Sequence, residues 1–166
     1  MILIIISFIL DSVISNVVSI NSYFLPLFTL VSFSLVYPKY KKNNIKFLML
    51  VFIFGLLYDI CFSSSLYINT LSFLAVASII IVLYHYINMN IFSFTLINVL
   101  VIALYRIISY IIYILVSYKI FNAQILLISI VQSIILNILY GIIVYLIYNY
   151  IVKKINRSTY KYRKIW

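Results

Sequence analysis

The sequence predicts an all-α polytopic membrane protein, a bundle of six transmembrane helices, and three observations carry that prediction. First, 67% of the 166 residues are hydrophobic and only 8% are charged, whereas a soluble domain is about half apolar and about a quarter charged. Second, the apolar residues fall into runs of span length separated by short polar breaks. Third, ten of the twelve basic residues sit in two patches: Lys39, Lys41, Lys42 and Lys46, then Lys153, Lys154, Arg157, Lys161, Arg163 and Lys164. Basic residues beside spans mark the cytoplasmic side of a membrane protein.

The spans follow in order. The first apolar run, Ile2 to Ile20, lacks a basic leader and a small-residue cleavage site and contains Asp11, so a retained helix is expected rather than a cleaved signal. The second, Tyr23 to Tyr37, ends at Pro38. Its reach of about 22 Å is short of the roughly 30 Å hydrocarbon core, so it is the span least certain to cross. Pro26 falls in its first turn, where a missing N–H costs least. The third run is Ile45 to Phe62, followed by Ser63-Ser64-Ser65, and the fourth is Leu66 to Tyr86, closed by Asn88-Met89-Asn90. The fifth runs from Ile91 to Ser117 and the sixth from Ile125 to Val152, with Lys119 to Gln124 between them.

Six spans place both basic patches on one face, with only Lys119 opposite. Omitting the short second helix would split the patches across the membrane. The positive-inside rule therefore favours six spans with both termini cytoplasmic. The expected organisation is a six-helix transmembrane domain over residues 1–152 and a basic cytoplasmic tail over 153–166. The tail, interleaved with Tyr160, Tyr162 and Trp166, is expected to lie on the inner leaflet or to dock a partner. The net charge of +10 is read as topology and contact with membrane lipid, not as nucleic-acid binding.

Polar residues inside the spans recur at four-residue steps, the spacing of one helix face. Span one carries Ser7, Asp11, Ser15 and Ser19; span three carries Gly55, Asp59 and Ser63. Span five carries Asn98, Arg106, Ser109 and Tyr113 along a broad face. Span six carries Ser129, Ser133, Asn137, Gly141 and Tyr145, with Gln132 beside them. Such faces turn inward, either as packing seams or as the lining of a wet path. Asp11, Asp59 and Arg106 are the only formal charges well inside the spans, each costing roughly 2.5–3.5 kcal/mol if left unpaired at mid-membrane. Arg106 is expected to pair with Asp59, or to be shared with Asp11; the alternative is a protonated, hydrogen-bonded aspartate.

No catalytic apparatus is legible. Cys61 and His85 are each the single residue of their type and Glu is absent, which argues against a metal site, a disulfide or a nucleophile–base pair. No cofactor is expected.

Span three resembles a known family. Phe52-Ile53-Phe54-Gly55-Leu56-Leu57-Tyr58-Asp59-Ile60 is similar to the Gly-x-x-x-Asp core of the rod shape-determining protein MreD family. Leu66-Tyr67-Ile68-Asn69-Thr70-Leu71 lies where that family carries a Leu-Gly-x-Asn-Ala-Leu segment. Pro26 matches the proline of its second helix, and Ser133-Ile134-Ile135-Leu136-Asn137 its late Leu-Asn helix before a basic tail. Val51, Tyr67 and Leu27 depart from it, standing where the family often has glycine, glycine and an acidic residue. The resemblance implies a non-enzymatic role in bacterial cell elongation, in the inner membrane. The partners it implies are an MreC-like bitopic protein, an MreB-like filament, RodA and the elongation transpeptidase. The alternative reading is the substrate-binding membrane subunit of an energy-coupling-factor-type vitamin transporter. Such a subunit needs an outward pocket, for which Asp59, Asn69, Arg106 and Asn137 could supply polar groups.

Overall fold

A computed structural model describes residues 1–17, 26–62, 67–87, 90–117 and 121–163. Among these every regular element is a helix. The helices are α1 (Ile2–Val17), α2 (Phe28–Val36), a 3₁₀ turn (Tyr37–Tyr40), α3 (Asn44–Phe62), α4 (Ile68–Tyr86), α5 (Ile91–Ser117) and α6 (Ala123–Arg163). Four of them, α3 to α6, are long and apolar enough to cross a membrane.

Two of the six expected spans are short. The 16 residues of α1 reach about 24 Å and the nine of α2 about 14 Å. The ends of both expected runs, Ser19 and Ile20 on one side and Tyr23 to Leu25 on the other, lie outside the described residues, as do Ser63, Leu66 and Lys119.

The short α2 is the centre of the bundle. Its sequence, Phe-Thr-Leu-Val-Ser-Phe-Ser-Leu-Val, is apolar all round with small hydroxyls, and all nine residues are buried, as that pattern requires. It packs against α1, α4, α5 and α6. Phe33 reaches α3 and α4, meeting Phe47, Phe54 and Phe73 edge to face. Around this hub the remaining helices pair with their neighbours in sequence, α3 with α4, α4 with α5 and α5 with α6. Phe8 on α1 locks onto Phe54, Tyr58 and Phe62 of α3.

The outer surfaces are apolar. Ile5, Ile9 and Val13 on α1, Met49, Phe52 and Ile53 on α3, and Leu127, Val131, Ile135 and Leu139 on α6 are exposed. In lipid this exposure carries no hydrophobic penalty. The four-residue stripe of α6 (Ser129, Ser133, Asn137, Gly141 and Tyr145) is buried throughout, on the face opposite those residues. Finally, α6 does not stop at Val152: it continues as helix to Arg163, so the basic segment extends the last span instead of starting a separate element.

Candidate functional site: a polar ring joining six helices

The site begins with two helix N-termini buried inside the bundle. The first amides of a helix have no intrahelical acceptor, and in an apolar interior each must find one. The first turn of α2 finds Asp11: Phe28 N donates to Oδ1 at 2.8 Å, Thr29 N to Oδ2 at 2.9 Å, and Thr29 Oγ1 to Oδ2 at 2.7 Å. The first turn of α4 finds Asp59 in the same way. Asn69 N donates to Oδ1 at 2.8 Å, Thr70 N to Oδ2 at 2.9 Å, and Thr70 Oγ1 to Oδ2. Each carboxylate thus meets two amides, a hydroxyl and the positive end of a helix dipole, the environment in which a buried negative charge is most readily held.

Close approach makes the second cap possible. A Cβ added to Gly55 would lie 2.8 Å from Thr70 Cα, a backbone atom that cannot swing aside. The absent side chain lets α4 descend onto α3, and Asp59, one turn on, then falls beneath the amides of Asn69 and Thr70. The turn into α4 passes through Tyr67 at φ 73°, the left-handed region where glycine is favoured. Tyr67 is exposed, so its side chain does not hold that conformation by packing.

The two caps are joined. Tyr58, adjacent to Asp59 and buried, donates from its hydroxyl to Pro26 O at 3.2 Å, just ahead of α2. On the far side, Leu27 N donates to Asn137 Oδ1 at 2.7 Å, and Asn137 Nδ2 donates to Ser133 O at 2.7 Å. Arg106 donates to the Ser133 hydroxyl, from Nε at 2.8 Å and also from Nη2. Its neighbour Tyr105 donates to Asn69 Oδ1, which returns to the Asp59 cap. Hydrogen bonds and adjacent residues therefore form a closed circuit through Asp11, the α2 terminus, Asn137, Ser133, Arg106, Tyr105, Asn69, Asp59, Tyr58 and Pro26. All six helices contribute.

Asp11, Asp59, Asn69, Arg106 and Asn137 lie on this circuit, with Gly55 beside it. Each carboxylate meets a helix terminus, and the Arg106 guanidinium reaches Ser133. Asn98 lies off the ring, accepting from Ser34 Oγ at 2.6 Å. Ser7 contacts Ser32 and, at 2.6 Å, the Tyr140 hydroxyl. Ser15 donates back to Asp11 O at 2.6 Å, while Tyr113 is exposed.

Thr29, Thr70, Tyr58 and Tyr105 complete the ring and were not singled out by the sequence. A signal for the threonines existed. Each stands in the first turn of a helix that follows an aspartate-bearing one. The tyrosines were hidden among seventeen.

The arrangement is one of mutual satisfaction. Among the described residues no group of His, Cys, Asp and Glu could hold a metal ion. A crevice between α5 and α6, lined by Phe94, Thr95, Asn98, Ile138, Gly141 and Ile142, is too tight to seat a water molecule. Neither family models, curated proteins nor solved structures yield a significant match to the chain.

Proposed function

We propose that this protein is a non-enzymatic membrane component of the bacterial cell-elongation machinery, resembling MreD, which helps organise peptidoglycan synthesis from the cytoplasmic membrane. One observation carries the reading: the residues of the resemblance converge. Pro26, Gly55, Asp59, Asn69 and Asn137 are far apart in sequence, yet all belong to, or directly shape, the ring that fixes how six helices pack. A further point supports it. Tyr67, where the family often carries glycine, has the backbone conformation that favours glycine. The position thus keeps the geometry while having lost the residue.

In this reading the ring has no substrate. It holds the bundle in one arrangement, so that its apolar flanks and basic end present constant surfaces to an MreC-like bitopic protein, to RodA and its transpeptidase, and through them to an MreB-like filament. Both termini face the cytoplasm.

Affinity purification of the C-terminally tagged chain from native membranes, with mass-spectrometric identification of copurifying proteins, tests the proposal. Recovery of an MreC-like protein, RodA or the elongation transpeptidase is expected. Recovery of a paired ATPase and a coupling membrane subunit would overturn it in favour of a vitamin-transporter subunit.

A further inference from the structure

The two basic segments are more than 100 residues apart in sequence, yet the fold brings them to one end of the bundle. The link is Lys39, whose ammonium lies 5.3 Å above the ring of Tyr148 on α6, within cation–π range. Tyr148 stands five residues before Lys153, so the basic extension of α6 starts about 8 Å further along the axis. The segment bearing Lys39 is braced from within. Tyr37 is buried, packs on Phe47 with ring centroids 4.9 Å apart, and donates its hydroxyl to Asn44 Oδ1 at 3.1 Å. Pro38 sits in the first turn of the 3₁₀ helix, and Tyr40 packs against the same core. Lys41 and Lys42, just after this turn, and Lys46, in the first turn of α3, are exposed.

No acidic side chain of the sequence is left to neutralise them. Its two acidic side chains are Asp11 and Asp59, both buried and both committed to helix termini. Beyond Val152 the helix is unbroken to Arg163, and this stretch of the sequence carries Lys153, Lys154, Arg157 and Lys161, with Lys154 exposed. Tyr37, Tyr40 and Tyr148 flank the lysines, and aromatic residues beside basic ones are the pairing enriched at membrane–water interfaces.

We infer that the 3₁₀ turn and the root of the α6 extension form a single binding surface for anionic phospholipid head groups, organised by the Lys39–Tyr148 contact. The ligand chemistry is a phosphodiester carrying net negative charge. A zwitterionic lipid brings its own ammonium into the patch and gains little there. This inference stands independently of the proposed role in cell elongation.

The test uses the full chain, purified and delipidated in a neutral detergent. It is titrated with phosphatidylglycerol or phosphatidylcholine, and bound lipid is counted by native mass spectrometry. Phosphatidylglycerol is expected to bind about tenfold more tightly than phosphatidylcholine at 0.15 M salt, with the preference shrinking as salt rises. Two variants separate one surface from two: K39Q/K41Q/K42Q in the turn and K153Q/K154Q/R157Q in the extension. Each alone should remove most of the preference, and combining them should add little. K119Q, on the α5–α6 connection, should leave it intact. Equal binding of the two lipids overturns the inference, as does strict additivity of the two variants. So does retention, without lipid preference, of an acidic polypeptide that the same substitutions release; that would mark the surface as a protein dock.

Discussion

Asp11 and Asp59 each hold a carboxylate against two amides and a threonine hydroxyl in an apolar interior, and this sets what a single atom is worth. Replacing Asp59 with Asn keeps the shape but puts an NH₂ where an oxygen accepted. Even with the amide turned so that its oxygen still accepts from Thr70, the Asn69 amide is left facing a donor, at a cost of about 1–3 kcal/mol. Asp59→Asn and Asp11→Asn should therefore each lower the thermal unfolding midpoint in detergent by several degrees, with Asp→Ala no better tolerated. Unchanged midpoints would mean that water reaches these termini. Gly55→Ala should be harmful for a different reason: its Cβ meets Thr70 Cα, and relieving that overlap means prising α4 from α3, at about 1–3 kcal/mol. Tyr67→Gly points the other way. A non-glycine residue in the left-handed region carries a penalty of roughly 1–2 kcal/mol, and Tyr67 is exposed, so the variant should unfold at higher temperature. Tyr84→Phe belongs with it. The buried hydroxyl of Tyr84 has no hydrogen-bond partner among the described residues, so removing it should be neutral or stabilising.

At the scale of elements, one device occurs twice. A helix carrying an aspartate (α1, α3) is followed by a helix (α2, α4) whose first turn contains a threonine, and the carboxylate caps that turn with the same three donors. The device explains how a helix as short as α2 survives at the centre. Nine residues form too few internal bonds to be stable alone. Here the N-terminus is capped by Asp11 and Asn137, and the C-terminus passes directly into the 3₁₀ turn. Because both caps meet through Tyr58 and Pro26, Asp11→Asn and Asp59→Asn should not act independently. Their combined destabilisation is expected to differ from the sum by at least about 0.5 kcal/mol, measurable in a double-mutant cycle of thermal or denaturant unfolding. Tyr58→Phe, which removes the link at Pro26 O, should bring the pair closer to additivity.

For the whole molecule, the ring fixes the relative placement of six helices, while the Lys39–Tyr148 contact brings the two basic segments to one end. Single cysteines placed at Lys42 and at Lys154, in a Cys61→Ser background because Cys61 is exposed, should react with an impermeant thiol reagent from the same side of sealed vesicles. Labelling from opposite sides would be incompatible with the contact between the turn and α6.

Much of this was legible in the chain alone. Composition determined that the solvent of this fold is lipid, because 8% charged residues cannot cover a soluble core of this size. The four-residue polar steps on α1, α3 and α6 marked the faces that turn inward, since a polar group has no partner among acyl chains. Tertiary structure decided which partners those faces find. Charge, the strongest attraction a sequence displays, marked Asp11, Asp59 and Arg106 as residues that must find partners. The amides of two helix termini are invisible in a list of side chains, because every residue but proline carries one. Only the packing of α2 and α4 against α1 and α3 brings those amides within reach of Asp11 and Asp59. The length of α2 was decided in the same way. A sequence of apolar residues states that a segment is buried, but whether it crosses the membrane or ends within the bundle depends on what waits to cap it.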